Sequence, residues 1–118
     1  ELLVGRESRG PEPRLAYALL GKWLAEAPND SVPSYLIGRN LAADGHWVEV
    51  ASFLDQSIAA SSSSARVTRE AIRLRIIAAC ALNDRSTAKR LFSQWKSDET
   101  LPEIRRLALE HALGDCVQ

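Results

Sequence analysis

The sequence predicts an all-α fold, a right-handed superhelix of about three stacked helix hairpins with about six helices. A small apolar position and a bulky apolar position, four residues apart, recur at steps of 34 and 38 residues: Ala16 and Leu20, Val50 and Leu54, Ala88 and Phe92. Repeats of this length fold as helix pairs that bury their apolar faces only by stacking. The spacing of apolar residues is helical throughout, and no segment reads as a strand.

Breaks between the apolar stretches predict where each helix begins and ends. Pro28, Gly45, the pair Asn83–Asp84 and Gly114 are stop or turn signals. The predicted helices are about 12–27, two helices of a hairpin over about 32–60 that are separated at Gly45, one from the serine run to Ala81, and two more at about 85–97 and about 101–114. Thr100 with Glu103 is typical of a capping box before the last of these.

The run 61–64 is four serines, and it has the length by which the second repeat step exceeds the first. Serine is poor inside a helix and favourable at an N-cap, so the run predicts a lengthened turn between repeats. The helix after it carries one apolar stripe that is widened by three isoleucines: Val67, Ala71, Leu74, Ala78, Ala81, with Ile72, Ile76 and Ile77. This width predicts a central helix that is buried on more than one side.

Three other helices carry inward apolar stripes by the same spacing argument. In the first helix the stripe includes Leu15, Leu19 and Trp23, so Trp23 is expected to lie in the core. Trp95 is expected in the core of the fifth helix, while Trp47 follows a turn and is expected to be partly exposed. The stripe of the last helix consists of Ile104, Leu107, Ala108 and Leu113.

The length of 118 residues predicts one helical-repeat domain over 12–118. Residues 1–11 are interpreted as a linker or the end of a preceding helix. The chain contains no methionine, which indicates a piece of a longer polypeptide, and its alanine and arginine bias favours a bacterial-type source. The formal net charge is zero, so a strong global field for nucleic acid or an anionic membrane is not expected.

Cysteine usage predicts a reducing compartment. The chain has two cysteines, Cys80 and Cys116, too few for a disulfide framework. Cys80 is expected to be a small buried apolar residue and Cys116 an exposed terminal thiol. No apolar run approaches the roughly 20 residues needed to span a bilayer, and no secretory signal opens the chain. These observations favour a cytoplasmic location without membrane insertion.

The pattern resembles the tetratricopeptide repeat family over about residues 13–97. Three partial repeats carry the resemblance, through Ala16, Leu20 and Pro28 in the first, through Ile37, Gly38, Gly45, Val50 and Leu54 in the second, and through Ala88 and Phe92 in the third. Three positions depart from the family pattern. Val50 is larger than the usual alanine, Ser62 replaces a closing proline, and Asn83 replaces a turn glycine.

The resemblance implies a protein-interaction scaffold that binds a peptide or a partner protein in a concave groove, with no chemistry. In the family the first helices of the repeats line this groove, at positions that correspond here to Val32, Tyr35, Arg39, Ala42, Glu70, Arg73, Ile77 and Cys80. The candidate contacts are Tyr35, Arg39, Arg73 and Ile77, because arginine suits carboxylates and tyrosine offers a rigid contact surface. The lysine and asparagine with which some family members hold a C-terminal carboxylate are not reproduced.

Residues 66–96 form a basic segment with eight cations and two anions, while the flanking segments are net acidic. Arg66, Arg69, Lys89 and Arg90 are candidates for a basic face that binds an acidic partner or nucleic acid. Nucleic acid is the less favoured ligand, because no aromatic ladder accompanies these cations. The alternative is that the charges only help neighbouring helices to dock within the fold.

Catalysis is not expected. The sequence has no glycine-rich phosphate loop and no nucleophile elbow, so no catalytic residue or cofactor is predicted. His46 and His111 are solitary, which argues against a metal site. A second class of function is a structural or oligomerising module, in which exposed apolar ends of the array pair with the parent chain or with another copy. Leu2, Leu3 and Val4 are candidates for the remnant of a helix that covers the first one.

Overall fold

The structure is a computed structural model that describes residues 13–60, 64–98 and 101–118. This part of the chain is helical throughout. It contains α1 (Pro13–Glu26), α2 (Ser31–Ala43), α3 (Trp47–Ala59), α4 (Ala65–Ala81), α5 (Arg85–Lys96), α6 (Glu103–Leu113) and a 3-10 turn at Gly114–Val117. The predicted all-α class and the six helices are confirmed within these residues. Leu2, Leu3, Val4 and Ser62 lie outside them.

Short polar side chains begin three of the helices. The Asp30 carboxylate accepts a hydrogen bond from the Val32 N–H at 2.9 Å, and the Ser64 hydroxyl accepts one from the Val67 N–H at 3.1 Å. Asp84 begins α5 in the same way. The side-chain and backbone hydrogen bonds that its carboxylate accepts from Thr87 hold the pKa of Asp84 below its ordinary value. These caps satisfy N–H groups that the first helical turn leaves unpaired.

The turn between α4 and α5 explains one departure from the repeat pattern. Asn83 has a φ of 62°, in the left-handed region, as does Gly45 in the preceding hairpin with a φ of 74°. Asparagine tolerates this conformation better than other residues with a side chain. Asn83 therefore makes the same kind of turn that glycine makes at Gly45.

Consecutive helices pack in adjacent pairs from α1 to α5, and α2 also contacts α4. The Ser57 hydroxyl of α3 donates a 2.8 Å hydrogen bond to the Ser31 carbonyl at the start of α2, and both residues are fully buried. A buried hydrogen bond of this kind satisfies a carbonyl that would otherwise be costly to enclose. It holds α3 against the start of α2.

The central position predicted for α4 is confirmed. Its residues Ala71, Leu74 and Ala78 pack with Val50 and Leu54 of α3 in one cluster of buried residues. A second cluster lies on the other side of α4 and includes Ile72, Ile76, Ala79, Ala88, Leu91, Phe92, Trp95, Leu109 and Val117. The predicted burial of Trp95 and the partial exposure of Trp47 are confirmed as well.

The two terminal helices differ from the prediction. Leu15, Leu19 and Trp23 of α1 are 54%, 58% and 38% exposed, so the expectation that Trp23 lies in the core is wrong. The less exposed side of α1 instead carries Leu20 and Leu24. Helical spacing identifies an apolar side but does not specify how much of its width a single neighbour covers.

In α6 the buried residue is Leu109, while Ile104 and Leu107 are 74% and 45% exposed. This helix therefore turns a different side to the core than its apolar residues suggest. It begins after Pro102, which makes no side-chain cap. Thr100 lies outside the described residues.

Gly38 marks a close approach between α2 and α3. A Cβ built at this position would lie 3.0 Å from Leu54 Cδ2 and 3.2 Å from Leu54 Cγ. Leu54 is fully buried, and close packing leaves such a side chain little room to shift. By contrast, a Cβ at Gly21 of α1 would meet nothing within 4 Å.

We expect opposite effects of alanine at these two glycines. Gly38→Ala should destabilise the fold by about 1 kcal/mol, because overpacking costs ~1–3 kcal/mol and outweighs the better helix propensity of alanine. Gly21→Ala should stabilise it by ~0.5–1 kcal/mol. Urea unfolding of both variants checks this. Equal stabilisation by the two changes would show that α2 and α3 are not in close contact at Gly38.

Candidate functional site

Two adjoining cavities lie on the face where α2, α4 and α6 meet. The larger one, of about 790 Å³, is lined by residues of α2, the start of α4 and Arg105 of α6. The smaller one, of about 510 Å³, lies between α4 and α6. Glu70 and Arg105 line both cavities. Together they form one open surface, which we call the concave face.

Most of the groove residues predicted from the sequence lie on this face. Val32, Tyr35 and Arg39 line the larger cavity together with Glu70. Arg73 and Ile77 line the smaller one. The structure therefore brings side chains from two helices that are distant in sequence to one surface.

Two predicted groove residues are placed elsewhere. Ala42 lines neither of these cavities and instead packs against the cluster between α2, α3 and α4. Cys80 packs against the second cluster, on the far side of α4. Both residues serve the packing of the helices.

The predicted basic face is divided between two locations. Arg66 and Arg69 line the larger cavity, so they belong to the same surface as Tyr35. Lys89 and Arg90 are exposed on α5 and line neither cavity. The sequence suggested the groove and the basic face as two separate surfaces. In the structure the basic residues of α4 belong to the groove, whereas those of α5 lie outside it.

Arg105 is a residue of the concave face that the sequence did not reveal. Its place on the concave face follows from the orientation of α6, which the burial of Leu109 fixes. The apolar pattern of α6 does not indicate this orientation, because two of its large apolar residues, Ile104 and Leu107, are exposed.

Two of the arginines on the concave face have carboxylate partners. Arg73 Nε lies 3.4 Å from Glu70 Oε1, and Arg69 Nη1 lies 3.3 Å from Asp98 Oδ2. The guanidinium of Arg39 lies over the Tyr35 ring, 5.8 Å from its centre, within the range of a cation–π contact. Arg66 and Arg105 make no ion pair within the part of the chain that the structure describes.

Cys80 and Cys116 form a disulfide bond, with a Cα–Cα distance of 5.8 Å. The prediction that they are free thiols, one buried and one exposed, is wrong. The residues are 36 positions apart in the sequence, and the 3-10 turn brings Cys116 back to the end of α4. Disulfides are uncommon in cytoplasmic proteins, so the bond removes the support that cysteine usage gave to a cytoplasmic location.

The described residues hold no group of three or more histidine, cysteine, aspartate or glutamate side chains that is arranged to bind a metal ion. Among the same residues, no helix combines the length and the apolar character needed to cross a membrane. His46 Nδ1 lies 3.8 Å from Glu49 Oε1, and both side chains are largely exposed.

Comparison of the chain with protein-family models, with curated proteins and with solved structures returned no match.

Reduction of the disulfide should lower the free energy of unfolding by about 2–4 kcal/mol, because the bond restricts the unfolded chain over a 36-residue separation. Urea unfolding with and without dithiothreitol measures this difference. The variant C80A/C116A serves as the control, and its urea unfolding curve should be the same with and without dithiothreitol. On reduction, the rate of amide hydrogen exchange should rise more in α6 than in α3. An unfolding curve that reduction leaves unchanged would contradict the prediction.

Proposed function

We propose that this chain is a protein-interaction module of the tetratricopeptide-like kind, which binds a peptide segment of a partner protein on the concave face. The observation that supports the proposal is the extent and composition of this surface. It is continuous over α2, α4 and α6 and combines two cavities with arginine, tyrosine and aliphatic side chains. Alternate helices of a stacked array line its concave side, which is the side that repeat proteins use for extended ligands.

The packing of the helices supports this proposal. α2 contacts α4 directly, although α3 lies between them in the sequence. Such contacts between first helices are expected of a superhelix of hairpins. A right-handed superhelix with the family's groove is part of the proposal.

The contacts on the concave face suit binding, and we propose no catalytic activity for it. Tyr35 is half-buried beneath Arg39, so the pair presents a guanidinium that is supported by an aromatic ring. Tyrosine and arginine are enriched among the residues that dominate binding energy at protein interfaces. Ile77 and the alanines of α6 add an apolar end to the same surface.

Selection of random peptides against the oxidised protein, followed by calorimetry with the enriched peptides, tests the proposal. We expect the variant R39A/R73A to lose at least about tenfold in affinity, which corresponds to ~1.4 kcal/mol. The matched control K89A/R90A removes two cations from α5, outside the concave face, and should bind like the unchanged protein. Enrichment of no peptide, or an equal loss in both variants, would contradict the proposal.

A second candidate function is self-association, and the exposed stripe on α1 favours it. Leu15, Leu19 and Trp23 follow one another at intervals of four residues and are all more than a third exposed. Large apolar side chains in a row on a helix are typical of an interaction surface. A second copy of the chain would cover the stripe by packing the same face against itself.

The candidate predicts that the mass of the protein in solution rises with concentration. Leu19→Glu should abolish this rise, because a buried carboxylate without a partner is costly at an interface. Val48→Glu, at an exposed position of α3, is the control and should not change the mass. Analytical ultracentrifugation measures all three proteins, and a monomeric mass of the unchanged protein at every concentration would exclude this function.

A further inference from the structure

The concave face holds a large share of the positive charge of a neutral chain. The chain has 15 cationic and 15 anionic side chains. Among the described residues, the two cavities are lined by five arginines and by one anion, Glu70; the arginines are Arg39, Arg66, Arg69, Arg73 and Arg105. The neutral composition therefore conceals a strongly cationic surface.

Internal ion pairs neutralise only part of this charge. Glu70 lies against Arg73, and Asp98, which lines neither cavity, lies against Arg69. Arg39, Arg66 and Arg105 have no carboxylate partner within the described ranges. A guanidinium offers a planar fork of donors that fits a carboxylate, and a ligand that supplies carboxylates would complete the charge balance.

Apolar residues lie between and beside these arginines. Val32, Leu36 and Val67 line the larger cavity, and Ile77 lines the smaller one. Ala108 and Ala112 are one helical turn apart on α6 and present only methyl groups to the smaller cavity. The site thus has room for apolar side chains next to the positions where carboxylates would bind.

The dimensions of the concave face suit an extended peptide. Packed helices lie about 8–10 Å apart, so a surface across three of them spans roughly 16–20 Å. An extended chain advances about 3.3 Å per residue and would cross this distance in about six residues.

We propose that the ligand of the concave face is an extended acidic peptide in which carboxylate side chains alternate with apolar ones. Arg66 and Arg105 bind its carboxylates, and the smaller cavity takes an apolar side chain. This inference rests on the proposed function, since it names the chemistry of the partner at the same site.

The lining residues favour a peptide over a nucleic acid. Single-stranded nucleic acids are bound by positive grooves with several aromatic side chains on which bases stack. Within the part of the chain that the structure describes, Tyr35 is the one aromatic residue that lines the two cavities, and Arg39 lies over its ring. The remaining apolar lining is aliphatic and fits the side chains of a peptide.

The test uses three fluorescein-labelled peptides of about twelve residues, roughly twice the span of the concave face. They alternate leucine with glutamate, glutamine or lysine. Fluorescence anisotropy with the oxidised protein measures their affinities at low and high salt. We expect the glutamate peptide to bind at least about tenfold more tightly than the glutamine peptide, and the difference to shrink as salt screens the charges.

Two variants of equal charge locate the binding. R66A/R105A should weaken the glutamate peptide at least about tenfold, whereas K89A/R90A should leave it unchanged. All four replaced side chains are exposed, and circular dichroism with urea unfolding confirms that both variants fold. An equal loss in both variants would show that binding depends only on the total positive charge of the protein, and this result would overturn the inference.

Two other outcomes would also overturn it. If the glutamine peptide binds as tightly as the glutamate peptide and R39A/R73A weakens both, the ligand is not acidic, while the proposed peptide-binding function stands. If single-stranded DNA binds more tightly than the glutamate peptide and R66A/R105A removes that binding, the ligand is a nucleic acid. Failure of all three peptides, together with failure of the peptide selection, would remove the proposed function itself.

Discussion

α4 is buried on two sides, and its packing sets the positions of the helices around it. One side meets α3 through Ala71, Leu74 and Ala78, and another meets α5 through Ile72 and Ile76. A helix packed between two neighbours keeps only a narrow part of its circumference for other contacts. In α4 that part carries the polar side chains of the concave face, so the packing of the core and the cationic character of the site arise from the same helix.

A charged residue can also lie within the packed part of α4 when it has a partner. Arg75 is only 8% exposed, and its Nε lies 2.8 Å from Asp55 Oδ1 of α3. Burial of an unpaired guanidinium would be strongly unfavourable, so this ion pair accounts for the arginine at a packed position. Arg66 and Arg105 of the concave face differ from Arg75, because they lie at the surface without a carboxylate partner in the described chain. Their charge is therefore available to a ligand.

The sequence predicted what depends on neighbouring residues and missed what depends on distant ones. The bounds of α2 to α5 and the two-sided burial of α4 follow from apolar spacing, caps and turns, all of which act over a few residues. The disulfide joins Cys80 to Cys116 through the path of the 3-10 turn, which no local pattern encodes. The exposure of Trp23 and the place of Arg105 depend on how a terminal helix meets its single neighbour. The groove positions were placed through a family resemblance, which carries three-dimensional information that spacing alone does not.

The three walls of the concave face are held by different forces. α2 and α4 are held by apolar clusters and by direct packing against each other. α6 buries Leu109 and continues into the 3-10 turn, where Val117 is buried and Cys116 is bonded to α4. In the proposed complex, Arg66 therefore lies on a helix that the core holds from two sides, whereas the position of Arg105 depends on the burial of Leu109 and on the disulfide. A ligand that binds both arginines would add its own link between α4 and α6, and binding and the disulfide would then stabilise the same arrangement of helices.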